Sequence, residues 1–156
     1  MTLKDELKMT TDFASLQQEV LLSLARTQNL IDPLFSKAFS QSKLTSPQYN
    51  VLRILKGNKD KIGMTCADIG ARMITRDSDI TRLVDKLVKT GFAERERPEF
   101  DRRVVLVKIT EAGKKCLQQL KAKIENIEKE AIGELSENKC KQLISILKEI
   151  RAKFKT

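Results

Sequence analysis

Two short segments in the middle of the chain carry the side chains whose chemistry is most informative. The first contributes Arg76, Ser78, Thr81, Arg82 and Lys86, and the second contributes Asp101, Arg102 and Arg103. A guanidinium can donate two hydrogen bonds to the edge of a guanine, and a lysine ammonium suits a phosphate group. Arginine also fits the narrow, negative minor groove of A·T-rich DNA better than hydrated lysine does. These residue types therefore indicate contacts with double-stranded DNA.

Groups for catalysis or metal binding are few. The chain has no histidine, which removes the commonest general base and a frequent metal ligand. The sequence also has no glycine-rich phosphate loop, paired-carboxylate motif or nucleophile elbow. We therefore expect neither enzyme activity nor a metal site or cofactor.

The three cysteines, Cys66, Cys116 and Cys140, are an odd number without metal-ligand spacing. This usage favours reduced thiols in a cytoplasm over a disulfide framework. Cys66 lies at the predicted start of a helix, where the helix dipole could make its thiol sensitive to oxidation. The commoner alternative is a small, inert residue. Cys116 and Cys140 are expected to pack in the core or in a dimer interface.

Composition and charge are compatible with DNA binding but do not require it. The 156 residues carry a formal net charge of +9, spread over the chain after residue 45, and many lysines lie on C-terminal helices where they could simply be solvated. Hydrophobic residues make up 40% of the chain, enough for a core. No apolar run approaches the roughly 18–20 residues of a membrane span, and the N-terminus lacks an apolar signal core. We expect a cytoplasmic protein with no membrane partner.

Capping residues predict two helices ahead of the first group of candidates. Ser46 and Pro47 predict the start of one helix, which Gly57 can close in a left-handed conformation. Thr65 and Asp68 have the spacing of a capping box and predict a shorter helix that ends near Met73.

The third helix is predicted over residues 78–90. Asp77 or Ser78 caps it, and Gly91 stops it. Two short helices joined by the tight connection at 74–77 form the outline of a helix-turn-helix. The apolar stripe of the third helix is Ile80, Leu83, Val84, Leu87 and Val88.

Burial of that stripe leaves a polar face outward. Residues near the N-terminal end of a recognition helix contact bases, so Ser78, Thr81 and Arg82 are the base-contacting candidates. Lys86 is expected to meet phosphate, and Arg76 could do either. Asp79 and Asp85 share this face, where one of them could orient an arginine.

Two β-strand patterns follow at once. Residues 92–97 alternate, residues 104–109 are apolar and β-branched, and the charged segment 98–103 lies between them as a hairpin tip. A helix-turn-helix followed directly by a charged hairpin is a winged arrangement. Phe100 is an aromatic residue at that tip, where it could pack beneath the hairpin or contact the sugar-phosphate backbone.

Long helices with apolar stripes flank this centre. The first runs from about residue 13 to 39, with Pro33 expected to bend or interrupt it. Thr110 caps the second, and a third follows a break at Leu135 and Ser136. Their stripes lack an obvious partner layer within one chain, which favours burial against a second chain. Those stripes are Leu16, Val20, Leu24, Ile31, Leu34 and Phe35, then Leu117, Leu120, Ile124, Ile127 and Ala131, then Leu143, Ile146, Leu147, Ile150 and Phe154.

Four segments together resemble the MarR (multiple-antibiotic-resistance regulator) family of winged helix-turn-helix transcription regulators. They are Leu44-Thr45-Ser46-Pro47-Gln48-Tyr49, Thr81-Arg82-Leu83-Val84-Asp85-Lys86-Leu87 with Gly91-Phe92, Asp101-Arg102-Arg103, and Ile109-Thr110-Glu111-Ala112-Gly113. The resemblance is specific over residues 44–113. It implies a mainly α fold with a small β-hairpin wing, in which the terminal helices of two subunits interlock.

The same resemblance implies a division of the compact chain and a function. Residues 1–42 and 111–156 would form the dimerisation helices, and 43–110 the DNA-binding domain. The homodimer would act as a regulator, usually a repressor, on a pseudo-palindromic operator. Arg103 would enter the minor groove, and Asp101 would hold the wing arginine in place.

A small anionic or phenolic ligand that releases the protein from DNA is also implied by the resemblance. Arg26, Tyr49 and Arg53 could line its pocket, between the dimer helices and the winged lobe. The alternative to a DNA-binding regulator is a winged-helix protein-interaction module that does not recognise DNA. Arg82 and Arg103 separate these hypotheses, since only a DNA-binding protein would require them.

Overall fold

The computed structural model describes residues 2–59, 62–75, 79–99, 101 and 103–154. Its elements are α1 (Leu3–Glu6), α2 (Leu16–Ser40), α3 (Ser46–Gly57), α4 (Cys66–Ala71), α5 (Ile80–Lys89), β1 (Ala93–Glu96), β2 (Leu106–Ile109), α6 (Glu111–Ile132) and α7 (Glu137–Ala152). The predicted fold class, mainly α with a small β-hairpin, is confirmed. None of the helices within the described ranges is both long and apolar enough to cross a membrane.

The chain divides into two compact units, residues 1–121 and 122–156. The first unit contains α1 to α5, the hairpin and the beginning of α6. The second contains the remainder of α6 and all of α7. We use the term winged lobe for α3, α4, α5, β1 and β2, which belong to the first unit.

Helix α3 begins one residue earlier than the sequence predicted. Thr45, rather than Ser46, is the N-cap: its hydroxyl accepts from the Gln48 amide at 3.4 Å, while the Gln48 side chain accepts from the Thr45 amide at 2.8 Å. This reciprocal capping box satisfies two backbone donors, which a Ser46 cap followed by proline would not do. Gly57 is the last residue of the helix and does not adopt the predicted left-handed conformation. Asn58, the residue after it, is extended.

Helix α4 has the predicted capping box. The Thr65 hydroxyl accepts from the Asp68 amide at 3.1 Å, and the Asp68 carboxylate accepts from the Thr65 hydroxyl at 2.6 Å. The Thr65 hydroxyl and the Thr65 amide both donate to the Asp68 carboxylate, and they lower its pKa below the ordinary value of 3.8. The helix ends at Ala71, slightly before the predicted end.

Helix α5 is shorter than the predicted helix at 78–90. Its N-cap is Asp79, whose carboxylate accepts from the Arg82 amide at 3.1 Å. A carboxylate caps as well as a hydroxyl does, so the assignment to Asp77 or Ser78 was wrong by one or two residues. Asp77 and Ser78 themselves lie outside the described residues.

Gly91 stops α5 as predicted. It has φ +76°, its amide donates to Val88, and the Phe92 amide donates to Leu87 at 2.9 Å. This pair of bonds is a Schellman motif, which requires a residue in the left-handed region and therefore favours glycine. The turn directs the chain straight into β1.

Strands β1 and β2 pair antiparallel, with Ala93 opposite Ile109 and Glu96 opposite Leu106. Both strands are shorter than the predicted ones. Met64 extends the sheet edge through an antiparallel bridge to Val107, with backbone bonds of 3.0 and 2.8 Å. The loop before α4 is thereby attached to the base of the hairpin.

The core of the winged lobe draws on every one of its helices and on β2. Its most deeply buried side chains are Val51, Leu52, Ile69, Val84, Leu87 and Val107. Leu120 of α6 is also almost completely shielded from solvent. A core assembled within one chain fixes the orientation of α5 and of the hairpin.

The long helix α2 continues through Pro33, so of the two predicted effects, a bend or an interruption, the interruption does not occur. Proline removes one backbone donor, which frees the carbonyl of Asn29 four residues earlier. Asn29 and Pro33 are both exposed, which allows water to satisfy that carbonyl. The break before α7 is as predicted, with Ser136 as N-cap.

Candidate nucleic-acid interface

The outward face of α5 is polar and accessible. Thr81, Arg82 and Lys86 are exposed, whereas Val84 and Leu87 on the opposite face are completely buried. The cap at Asp79 places Thr81 and Arg82 in the first turn of the helix. Side chains in this turn are the ones that a recognition helix presents to base edges.

The hairpin tip presents one arginine whose position is locally constrained. The Asp101 carboxylate accepts from the Arg103 amide at 2.9 Å and from Arg103 Nε at 3.3 Å. The Arg103 side chain nevertheless remains 93% exposed. The contact thus holds the Arg103 backbone amide and guanidinium nitrogen Nε, while the side chain stays accessible to a partner. Arg76, Ser78, Phe100 and Arg102 lie outside the described residues.

An ion pair joins the outward face of α5 to the hairpin. Arg95 Nη1 of β1 lies 2.5 Å from Asp85 Oδ1 of α5, with both side chains partly exposed. Asp85 is therefore the acidic residue that orients an arginine, and Asp79 is the cap. Arg95 was not among the predicted residues, although its outward place in an alternating strand was the available signal.

Asn50 was also missed, and it positions the turn of the helix-turn-helix. Its side chain, 6% exposed on α3, accepts from the Ile74 amide at 3.1 Å across 24 residues of sequence. Ile74 belongs to the connection between α4 and α5. A polar residue within the apolar stripe of α3 was the signal for this role, because buried polar groups are rarely left unpaired.

A groove of about 550 Å³ is lined by residues of α5 and of the hairpin. Its lining includes Thr81 of α5, Arg95 and Arg97 on the hairpin side, and Cys66 at the start of α4. Cys66 is half-buried here. Cys116 differs, because it is buried in the first unit and burial raises the pKa of its thiol.

Arg26 and Tyr49, two of the predicted ligand residues, contact other side chains. Arg26 Nε lies 3.4 Å from the Glu6 carboxylate, and the Tyr49 ring stacks on Phe39 with centroids 4.4 Å apart. Arg53 is exposed on α3. A ligand role for these three residues stays a prediction.

Comparison with known proteins agrees with this geometry. The sequence matches the family described as transcriptional regulator SarA/Rot over residues 33–120, which include the entire winged lobe. It is 31% identical to the uncharacterized HTH-type transcriptional regulator YpoP of Bacillus subtilis, with 78% of each chain covered.

Solved structures share the fold. A MarR transcription factor from Planctomyces limnophilus is 35% identical, with a TM-score of 0.66 over 88% of this chain and 98% of that one. The PcaV transcriptional regulator of Streptomyces coelicolor, solved in complex with its natural ligand, has a TM-score of 0.77 at 21% identity, over 93% of this chain and 100% of that one. The chain thus belongs to the SarA/Rot family of transcriptional regulators, DNA-binding proteins with the MarR-like winged helix-turn-helix fold.

Proposed function

We propose that the protein is a homodimeric repressor that binds a pseudo-palindromic operator. Helix α5 enters the major groove, and the 98–103 wing enters the adjacent minor groove. The observation that carries this proposal is the contact between Asp85 and Arg95, which places the outward face of α5 beside the hairpin. One face of the winged lobe thereby carries both DNA-contacting elements.

Each side chain on that face has a distinct role. Arg82 donates to a guanine edge from the first turn of α5, where Thr81 contacts a neighbouring base. Lys86, one turn further along, meets a phosphate group. Ser78 is assigned a base contact, and Arg76 is assigned a base or a phosphate contact. Both residues precede the helix, and both assignments rest on the sequence alone.

In the wing, Arg103 inserts into the minor groove. Its contact with Asp101 is that of an exposed ion pair and contributes little stability by itself. The contact with Asp101 restricts the Arg103 side chain before DNA binds, so the side chain loses less conformational freedom on binding. Arg102 makes the adjoining phosphate contact.

A second copy of the chain covers the apolar stripes of the outer helices. On α2, the stripe residues Leu16, Val20 and Leu24 are 73%, 44% and 36% exposed, and on α7 Leu143 and Ile146 are 40% and 54% exposed. Apolar side chains so accessible and so regularly spaced are typical of an interface. Residues 1–42 and 111–156 supply this interface, and residues 43–110 bind DNA. The two-fold axis places two half-sites about 34–36 Å apart.

A small anionic or phenolic ligand would weaken operator binding by changing the separation of the two lobes. Arg26, Tyr49 and Arg53 offer two cations and a phenol for its recognition. PcaV, a structural neighbour with its natural ligand bound, supports a ligand-controlled mechanism.

Fluorescence anisotropy with DNA from the promoter beside the protein's own gene tests the proposal. Arg103→Ala and Arg82→Ala should each weaken binding by about tenfold or more, and affinity should fall steeply with salt. Arg151→Ala removes the same charge from α7 and serves as the control, with an expected loss below about twofold.

Equal binding by the wild type, Arg82→Ala and Arg103→Ala across genome-wide fragments would contradict the proposal. That result would favour the protein-interaction module, in which neither arginine is required.

A further inference from the structure

A second cavity, of about 450 Å³, lies at the base of the hairpin. Four lysines line it, together with the apolar side chains of Leu55 and Ile109. The lysines are Lys56 of α3, Lys59 of the following loop, Lys108 of β2 and Lys114 of α6. None of the described lining residues is acidic. The volume falls within the range of about 300–1,000 Å³ that small-molecule sites occupy.

The chain holds the wall of this cavity in a defined position. Gly63 has φ +109°, and a Cβ there would lie 3.1 Å from both the Lys108 side chain and the Val107 carbonyl oxygen. Only glycine therefore lets the loop lie this close to β2 without displacement. The Met64–Val107 backbone bonds and a 3.4 Å bond from Asn58 Nδ2 to the Gly63 carbonyl attach both ends of the loop.

Among the residues that the structure describes, the acidic partners neutralise only some of these four positive charges. Lys108 pairs with Glu96, and Lys114 lies 2.6 Å from Glu111, whose pKa it lowers. Among the described residues, Lys56 and Lys59 have no ion-pair partner. Two uncompensated ammonium groups beside two paired ones repel one another, and an anion bound between them would relieve that repulsion.

This cavity is distinct from the proposed DNA-contacting face. Lys108 lies within β2, five residues after Arg103 of the hairpin tip. The antiparallel bridge between Met64 and Val107 directs Gly63 away from the hairpin tip, towards the same end as Lys108. No residue of α5 is among the described lining residues.

The lining favours a negatively charged ligand over one that binds by aromatic stacking. Lysine ammonium groups bind phosphate as compact point charges, and no described lining residue is aromatic. We propose that this cavity binds a small molecule that carries two or more phosphate groups. The site is independent of operator recognition and goes beyond the function proposed above.

Isothermal titration calorimetry of the full chain with inorganic tripolyphosphate tests this site. The wild type should bind one molecule per chain, and the double variant Lys56→Gln/Lys59→Gln should bind about tenfold more weakly or worse. Lys148→Gln/Lys153→Gln removes the same charge from the exposed end of the chain and should leave the affinity within about twofold. Arg82→Ala/Arg103→Ala should also retain tripolyphosphate binding, even if operator binding is lost.

Thermal unfolding provides the check on folding. The exposed, unpaired Lys56 and Lys59 can be replaced without breaking a described contact, and the replacement removes charge repulsion, so the melting temperature should not fall. Equal weakening in both lysine double variants would show that diffuse charge binds the anion and would overturn the proposal. Loss of tripolyphosphate binding in Arg82→Ala/Arg103→Ala would also overturn the proposal, as would absence of tripolyphosphate binding in the wild type. Weakened DNA binding by Lys56→Gln/Lys59→Gln without tripolyphosphate binding would assign the cavity to the DNA backbone, which also overturns it.

Discussion

The winged lobe and the last helix use their apolar side chains in opposite ways. In the lobe, Leu52, Ile69 and Leu87 are completely buried by neighbours from the same chain. Helix α7 has no buried residue: Ile146 within it is 54% exposed, and Phe154, just after its end, is 73% exposed. Helix α2 is intermediate, since only Ala38 and Phe39, close to its C-terminal end, are buried.

This difference separates two sources of stability. The lobe has many long-range contacts that one chain provides, and its fold should not depend on protein concentration. The stripe of α7 has no such cover within its own unit, so its burial would depend on association. The contrast predicts different responses to substitution in the two regions.

Disruption of the outer stripe should have the largest effect. Ile146→Glu places a charge into the proposed interface, and two-fold symmetry introduces it twice. The dimer dissociation constant, measured by sedimentation, should rise by about a thousandfold, which corresponds to roughly 4 kcal/mol. Ser145→Glu adds the same charge away from the stripe and should leave the dimer intact. An unchanged dissociation constant in Ile146→Glu would remove α7 from the interface.

Truncation of the lobe core should have the next largest effect. Leu87 is completely buried, so Leu87→Ala should reduce the free energy of unfolding by about 3 kcal/mol. Urea denaturation at several protein concentrations measures this loss, which should be the same at each. Lys89→Ala, on the exposed face of the same helix, is the control. If the loss varied strongly with concentration, the separation between lobe and outer helices would be wrong.

The ion pair between Asp85 and Arg95 tests the rigidity of the lobe's DNA-contacting face. It is partly exposed, so each single variant should change stability by under about 1 kcal/mol. Operator affinity should fall about threefold in both Asp85→Asn and Arg95→Gln, because the hairpin is no longer held against α5. These substitutions change the net charge in opposite directions. Tighter binding by Asp85→Asn with weaker binding by Arg95→Gln would mean that charge alone matters.

The smallest effect concerns pH. The pKa of Asp68 is lowered by its contacts with Thr65, so its stabilising contribution is complete above the ordinary value of 3.8 and is lost as the pH falls through the lowered one. Thermal melting in this acid range should be less pH-dependent in Asp68→Asn than in the wild type. Glu137→Gln, in the first turn of α7, is the control. Parallel melting curves for the wild type and Asp68→Asn would contradict the proposed cap contribution.

Local sequence signals predicted the order of elements well. The capping box at Thr65 and Asp68, the left-handed stop at Gly91 and the two short strands follow from interactions within a few residues. Errors arose where two neighbouring residues could serve the same purpose. Thr45 and Asp79 cap helices that were assigned to other cap residues nearby, because a hydroxyl or a carboxylate suffices in each place.

The sequence by itself determined the helix-turn-helix, the hairpin and the polar outward face of α5, since periodicity and capping are local properties. Only the tertiary structure revealed that Asp85 meets Arg95, that Asn50 holds Ile74, and that lysines from α3, β2 and α6 surround one cavity. These partners are distant along the chain or belong to different elements. Their meeting depends on how the elements pack, because the burial of apolar faces is non-directional and selects no particular polar pair.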